Sequence, residues 1–176
     1  ITLLDYKPAP IIYEVRGLPR NESYRHTNWE KNAGVTMDKF RGIRTGFVVQ
    51  CEGGYVKDGA AFDNQDKLIK KFTREQPDCK ENFISVIRSR KTSELLTDAL
   101  EGHLPCGLVH MANISYQVGK HKHNDEIRQV IKSKAEFSES FERLIEHLSA
   151  NQLGVNRKLL VLGSMLKLNP ETERFT

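Results

Sequence analysis

The spacing of apolar residues changes after Arg74, and this change limits the folds that the chain can adopt. Before it, short runs rich in β-branched and aromatic residues alternate with turns that contain Gly or Asp, a pattern typical of strands. After it, apolar residues recur at the spacing of amphipathic helices. We therefore predict an α+β fold with an open, mainly antiparallel sheet of about four strands and helices packed on one face.

The local signals place the elements along the chain. Strands are expected at 11–18, at 42–56 with a break at Gly53-Gly54, and around turns at Asp58-Gly59 and Asp63-Asn64. Helices are expected from Pro77 with Asp78 in the first turn, over 97–118 with Gly119 as a left-handed stop, and from Asp125 to Asn151 with a break near 133–136 and an end at Gly154. Between them, 121–125 should be a loop. Residues 1–72 are thus mostly sheet, 77–152 mostly helical, and 153–176 a short strand at 158–163 and an extended tail, all within one domain, 1–176.

Composition excludes several classes of protein. The chain has 176 residues, of which 38% are hydrophobic and 28% charged, as in an ordinary globular domain. No apolar run approaches the roughly 18 residues of a membrane span. The net charge of +4 is spread along the chain, and the basic runs 67–72 and 88–91 are interpreted as solvated faces, so no nucleic-acid partner is expected. Three cysteines without Cys-x-x-Cys spacing predict free, mostly buried thiols.

The stretch EGHLPCGLVHMANISYQVG (101–119) is the first candidate for a functional helix. Its histidines, His103 and His110, are seven residues apart, so their backbones would lie about 10 Å apart along a helix axis. Two histidines that share a metal on one helix use the i,i+4 spacing instead. Each is therefore either a partly buried, hydrogen-bonded side chain or a residue that lines a pocket. The small residues favour close packing, and Pro105 should disturb the helix.

The polar connection over 19–41 is the second candidate. It is long, has no clear periodicity and is either a disordered hairpin loop or a binding loop. Aromatic and cationic side chains in one loop suit a polar, sugar-like ligand or a partner surface. The candidates are Arg20, Tyr24, His26 and Trp29.

No motif for catalysis or cofactor binding was found. The chain has no Gly-x-Gly-x-x-Gly and no phosphate-binding Gly-x-x-x-x-Gly-Lys-[Ser/Thr] loop. His121 and His123 could chelate a metal, but no third ligand is near in sequence. We therefore assign no catalytic, cofactor or metal residue to this chain.

Several segments, taken in order, resemble one family. They are GFVVQCEGGYV (46–56), ENFISVIRSRK (81–91), LLTDALEGHLPCGLVHMANISYQVGK (95–120), FERLIEHLSANQLGVNRKLLVLGSMLKLNPETERF (141–175) and YEVRGLP (13–19). Together they are similar to the C-terminal domain of Gfo/Idh/MocA-type oxidoreductases, relatives of glucose–fructose oxidoreductase and inositol dehydrogenase. The tail and YEVRGLP resemble a subgroup common in Bacteroidetes and Planctomycetes. Pro105 departs from the family pattern, where a residue such as Ser is expected.

The resemblance implies a larger parent protein. An N-terminal Rossmann domain would bind NAD or NADP and carry a catalytic lysine in a Glu-Lys-Pro motif. Neither the Gly-x-Gly-x-x-Gly motif of such a domain nor the Glu-Lys-Pro motif occurs here. The chain is therefore expected to be a C-terminal domain that lacks the Rossmann domain and holds no cofactor itself. The resemblance also implies a homo-oligomer formed through the open sheet face. His103, His110 and the loop residues would then face the substrate or the missing domain.

The predicted function is substrate recognition and oligomerisation in an NAD(P)-dependent oxidoreductase that acts on a sugar or cyclitol derivative. The chain alone is expected not to catalyse. The alternative is a non-enzymatic domain of the same fold that binds a protein or a glycan. A small metal hydrolase that uses the histidines is disfavoured by their spacing. The compartment stays open between cytoplasm and periplasm, because parents of this subgroup often carry a twin-arginine signal.

Overall fold

The computed structural model describes residues 1–73, 78–154 and 160–175. Its strands are β1 (Thr2–Leu4), β2 (Ile11–Tyr13), β3 (Val48–Cys51), β4 (Gly54–Lys57), β5 (Ala60–Asp63), β6 (Leu68–Lys71), β7 (Lys120–Lys122), β8 (Leu160–Leu162), β9 (Leu168–Asn169) and β10 (Arg174–Phe175). Its helices are α1 (Ala33–Thr36), α2 (Cys79–Ser89), α3 (Ala99–Gln117), α4 (Asn124–Ile131) and α5 (Ala135–Ala150), with short 3-10 helices at Glu22–Tyr24, Trp29–Asn32 and Thr92–Glu94.

Every strand pairing in the described residues is antiparallel, so the predicted α+β class with open antiparallel sheets is confirmed. The contacts divide the chain into two compact units. Unit 1 comprises Ile1–Met37 and His103–Thr176, and unit 2 comprises Asp38–Gly102. The assignment of 1–176 to a single recognition domain stays a prediction.

Unit 2 contains the four-stranded sheet, in the order β3-β4-β5-β6. The expected strand over 42–56 begins only at Val48, but it breaks at the predicted glycine pair. The Asp58-Gly59 turn is also confirmed. Both residues have positive φ angles, 47° and 69°, which suits the two-residue hairpin turn whose twist matches that of the strands.

Helix α2 lies in unit 2 and begins with a side-chain cap. Asp78 is the N-cap rather than a first-turn residue, and its carboxylate accepts hydrogen bonds from the backbone N–H groups of Lys80 and Glu81. Pro77 lies outside the described residues. The Asn82 side chain then donates to the Glu94 carbonyl at 2.8 Å and accepts from the Leu96 N–H at 3.0 Å. The helix and the 3-10 turn after it therefore form one local module.

The core of unit 1 lies between α4 and α5. Ile127, Ile131 and Phe141 are buried there. Half-buried apolar side chains pack around them: Phe137, Ile145, Leu160 and Leu162. The break between the two helices falls where the sequence predicts it. Helix α5 also ends close to the predicted Asn151, but Gly154 is not its stop, because Asn151 is the C-cap and Gln152 has the positive φ.

Helix α3 runs without interruption through Pro105, so the expected disturbance is wrong. The proline removes the N–H that would bond to the Glu101 carbonyl. Both residues are exposed, and water can replace the missing donor. The lost hydrogen bond is therefore tolerated.

Gly119 is needed for close packing and not for a left-handed turn, which corrects the predicted helix stop. Its φ is not among the positive angles of the described glycines. A Cβ at this position would lie 2.6 Å from the Leu162 carbonyl oxygen and 2.9 Å from the Gly163 Cα. Only a residue without a side chain lets the end of α3 pass so near β8.

Two further expectations are corrected in unit 1. The predicted loop at 121–125 is strand β7, paired with β8, followed directly by α4 with His123 as its N-cap. The predicted extended tail contains the β9–β10 hairpin. A third expectation is also corrected: the predicted strand over 11–18 is shorter and ends at Tyr13, and the side chain of the next residue, Glu14, hydrogen-bonds to Ser140 of α5.

All three cysteines are exposed free thiols, so the prediction of mostly buried thiols is wrong. No helix in the described part of the chain combines the length and the apolar character that crossing a bilayer requires.

Replacing the central core residue should destabilise unit 1 strongly. Phe141→Ala removes a buried ring, and we expect a loss of about 3–5 kcal/mol in the free energy of unfolding measured with urea. Val130→Ala on the exposed face of α4 is the matched control and should stay within about 0.5 kcal/mol of the parent. Equal losses for the two variants would contradict this core.

Candidate functional site

The predicted binding loop is folded, and we call residues 19–37 the recognition loop. Thr36 is only 4% exposed, and its hydroxyl donates to the carbonyls of Trp29 at 2.8 Å and Asn32 at 3.1 Å. The backbone N–H of Arg20 donates to the Thr36 carbonyl at 2.7 Å, which joins the two ends of the loop. The alternative of a disordered hairpin loop is therefore excluded.

Asn151, at the end of α5, fastens the recognition loop to the helix. It is fully buried, and its amide nitrogen donates to the carbonyls of Pro19 at 2.8 Å and His147 at 3.0 Å. The guanidinium of Arg25 donates to the Asn151 side-chain oxygen at 3.2 Å and to its backbone carbonyl at 2.6 Å. One buried carboxamide thus fixes the loop at two points, Pro19 and Arg25.

The loop presents Arg20 and Tyr24 as one surface. The Arg20 guanidinium lies over the Tyr24 ring, 5.1 Å from its centre, and donates to the Tyr24 hydroxyl at 2.6 Å. Arg20 is exposed and Tyr24 half-buried. A cation held on an aromatic face offers both hydrogen-bond donors and a flat apolar surface. This pair suits a ligand rich in hydroxyl groups.

The other two loop candidates are placed differently. His26 is exposed on the turn that follows the first 3-10 helix of the loop. Trp29 is half-buried, and its carbonyl accepts the Thr36 hydroxyl. Trp29 therefore has a structural role through its backbone, while His26 is accessible to a ligand.

The histidines of α3 are both exposed, so neither is the buried histidine considered as one alternative. His103 Nε2 lies 2.7 Å from a carboxylate oxygen of Glu173, which links α3 to the turn of the β9–β10 hairpin. In the described residues no hydrogen bond or ion pair joins these histidines to the recognition loop. The structure thus brings together Arg20 and Tyr24, and leaves His103 and His110 as a separate group.

A charged cluster in unit 1 was missed by sequence reasoning. The Glu14 carboxylate accepts hydrogen bonds from Ser140 at 2.6 Å, from Arg16 at 2.7 Å and from Arg143. Burial alone would raise the pKa of Glu14. The hydrogen bonds from Ser140 and Arg143 and the charges of Arg143 and Arg16 outweigh it, so the pKa lies below its usual value of 4.5.

Unit 2 contains a second cluster that the sequence did not reveal. Tyr55 is buried and stacks on Phe62 with ring centres 5.2 Å apart, while the Arg41 guanidinium lies 4.2 Å from the Tyr55 ring centre. The Tyr55 hydroxyl donates to Asp66 at 2.8 Å, and this bond to the carboxylate raises the pKa of Tyr55. The cross-strand pairing of β4 with β5 could have suggested the stacked rings, but not the cation.

In the described ranges no three His, Cys, Asp or Glu side chains come together in a way that could hold a metal ion. Three of the buried polar side chains, Thr36, Ser140 and Asn151, form hydrogen bonds within the fold. The exposed cation–aromatic pair of the recognition loop is the feature best suited to contact a ligand.

Removing the buried carboxamide should loosen the recognition loop. Asn151→Ala leaves the Pro19 carbonyl without its donor and removes the side-chain acceptor of Arg25, whose second acceptor is the backbone carbonyl of residue 151 and remains. We therefore expect a loss of about 1–3 kcal/mol in the free energy of unfolding. Hydrogen exchange should rise at the amides of residues 20–37. Asn113→Ala on the exposed face of α3 is the control, and unchanged exchange in Asn151→Ala would contradict the role of this residue.

Acid should destabilise unit 1 through Glu14. Because its folded-state pKa lies below 4.5, the unfolded state takes up the proton first, and the stabilisation present above this pH is lost as the pH falls through the folded-state value. The free energy of unfolding, measured with urea between pH 7 and pH 2, should fall less with acid for Glu14→Gln than for the parent. The non-titrating control Asn113→Ala should follow the parent curve, and parallel curves for all three proteins would refute the assignment.

Comparisons of the chain with protein-family models, with curated proteins and with solved structures give no match. The likeness to Gfo/Idh/MocA-type oxidoreductases therefore stays a prediction from the sequence segments. The comparisons neither support nor oppose it, and the function has to be argued from the residues themselves.

Proposed function

We propose that this chain is the substrate-recognition and oligomerisation domain of an NAD(P)-dependent oxidoreductase that acts on a sugar or cyclitol derivative. The cofactor and the catalytic lysine would be supplied by a Rossmann domain of the same protein. The chain alone would recognise and associate but not catalyse. Three features support this proposal: the exposure of α3, the recognition loop, and the order of the sequence segments that resemble the family.

The exposure of α3 carries the proposal. This helix of 19 residues is rich in apolar side chains, yet none of its residues is buried. Leu100, Leu104 and Val109 are each about 60% exposed. Leaving such side chains in water forgoes about 1.5–3 kcal/mol for each one that a partner could bury. A helix of this kind suits a surface that another domain covers.

The second half of α3 is hydrogen-bonded to the segment that follows β8, whereas the first half contacts the β9–β10 turn through the side chain of His103. The Ser115 hydroxyl donates to the Ser164 carbonyl at 2.7 Å, and the Ser164 hydroxyl donates to the Val118 carbonyl at 3.1 Å. Leu100, Leu104, Leu108 and Met111 lie on one apolar stripe along α3. Leu108 and Met111 are half-buried, whereas Leu100 and Leu104 are exposed. The first half of the stripe is therefore available to a missing domain.

The recognition loop supports the substrate class. Sugars and cyclitols present hydroxyl groups around an apolar ring face, and the Arg20–Tyr24 pair offers donors beside an aromatic face. The Asn151 anchor holds this pair ready, which lowers the entropy cost of binding. His26 is exposed on the same loop and can add a further hydrogen bond.

The same features would also suit a non-enzymatic domain that binds a protein or a glycan. That alternative keeps the roles of α3 and the loop but removes the cofactor domain. The oxidoreductase domain and the non-enzymatic domain differ in one measurable property, which is cofactor binding by the complete translated protein.

The test compares this chain with the full product of its reading frame. Isothermal titration with NAD⁺ and NADP⁺ should show binding by the full product and none by residues 1–176. Leu104→Arg in the full product should lower NAD(P)-dependent turnover with inositol or glucose at least about tenfold, because it places a charge in the domain contact. Val130→Arg, an equally exposed apolar position on α4, is the control and should leave turnover unchanged.

Two results would overturn the proposal. A full product that binds neither cofactor would leave the binding-module alternative. Turnover by residues 1–176 alone would show that the catalytic groups lie within this chain.

A further inference from the structure

The outer edge of the sheet in unit 2 is open and basic. Strand β6 is the last strand in the order β3-β4-β5-β6, and on its inner side it pairs only with β5. No strand lies on its outer side in the described part of the chain. Such an edge presents backbone N–H and C=O groups that a further extended segment can pair with.

The side chains of this edge are exposed on both faces. All four residues of β6 are exposed, with Leu68 at 53% and Ile69 at 64%. The edge therefore presents two apolar side chains followed by Lys70 and Lys71. A strand laid along it could contact a side chain on either face at each step.

The lysines of the edge have no carboxylate partner. Among the described residues, Lys67, Lys70 and Lys71 form no ion pair. The acidic residues of the preceding turn are already in use: Asp63 accepts the N–H groups of Gln65 and Lys67, and Asp66 accepts from Tyr55 and Arg41. Within the described ranges, no carboxylate neutralises these three positive charges.

These charges decide which strand can pair. Lysines on an edge strand act against association of like edges, because like charges directly opposite each other destabilise a strand pair. A second β6 would place lysines near lysines. An extended segment with carboxylates at the matching positions would instead gain cross-strand ion pairs in addition to the backbone hydrogen bonds.

We propose that the β6 edge is a docking site for an acidic, extended peptide segment that adds a fifth strand to this sheet. In an antiparallel register the partner places two acidic residues opposite Lys71 and Lys70 and two apolar residues opposite Ile69 and Leu68. The backbone pairing supplies affinity and the lysines supply selection for negative charge. The site uses no residue of the recognition loop or of α3, so it does not depend on the function proposed above.

The test uses fluorescence anisotropy with the 176-residue chain. The probe is a fluorescein-labelled peptide, Gly-Thr-Glu-Glu-Val-Val-Thr. Its controls are Gly-Thr-Lys-Lys-Val-Val-Thr and a version of the acidic peptide that is N-methylated at alternate residues, which cannot complete the strand pairing. We expect saturable binding of the acidic peptide, and binding at least about tenfold weaker for both controls.

A charge-reversal variant tests the lysines. Lys70→Glu/Lys71→Glu should bind the acidic peptide at least about tenfold more weakly and should bind the lysine peptide more tightly than the parent does. Lys132→Glu/Lys167→Glu changes the net charge equally at exposed positions that belong neither to β6 nor to the recognition loop, and it should bind as the parent does. Circular dichroism confirms that both variants keep the fold.

Three results would overturn the proposal. Equal affinity for the N-methylated peptide would mean that charge alone attracts the probe and no strand is added. No saturable binding up to millimolar peptide would mean that the edge is not a docking site. A concentration-dependent dimer in light scattering that Lys70→Glu/Lys71→Glu abolishes would assign the edge to a second copy.

Discussion

The hydrogen bonds of the buried residue Asn151 hold the recognition loop against the end of α5. Asn151 ends α5 and at the same time satisfies the Pro19 carbonyl and two groups of Arg25. A buried amide without these partners would cost more than each bond contributes, so the loop and the helix end are stable only together. These hydrogen bonds of Asn151 therefore also hold the Arg20–Tyr24 surface in position.

The two units are stabilised by different means. Unit 1 has a small aliphatic and aromatic core at Ile127, Ile131 and Phe141, with the Arg128–Glu142 ion pair joining the same two helices. Unit 2 has few buried apolar side chains and relies on the stacked, cation-covered Tyr55 on its sheet. Much apolar surface stays exposed in both units, and this exposure supports the proposal that the chain associates with another domain.

The features that the sequence predicts well are those set by neighbouring residues. The Asp58-Gly59 turn, the break between α4 and α5 and the α+β class all follow from local conformational preference and spacing. Asn151 and Glu14 could not be predicted, because their partners lie more than 120 residues away along the chain. The predicted helix disturbance at Pro105 is wrong for a local reason. The preference of proline against helix interiors is overridden where water can replace the lost donor. Of the six site residues, only Arg20 and Tyr24 are brought into direct contact, and sequence spacing alone does not show that.

The division of the chain has a consequence for its synthesis. Unit 2 is continuous, Asp38–Gly102, whereas unit 1 is built from two separated segments. The ribosome therefore completes the four-stranded sheet long before it reaches Asn151. Until that residue emerges, the Pro19 carbonyl and the Arg25 guanidinium have only water as their partner. The recognition loop therefore gains its hydrogen bonds to Asn151 only after a delay, because it is made more than 100 residues before the residue that anchors it.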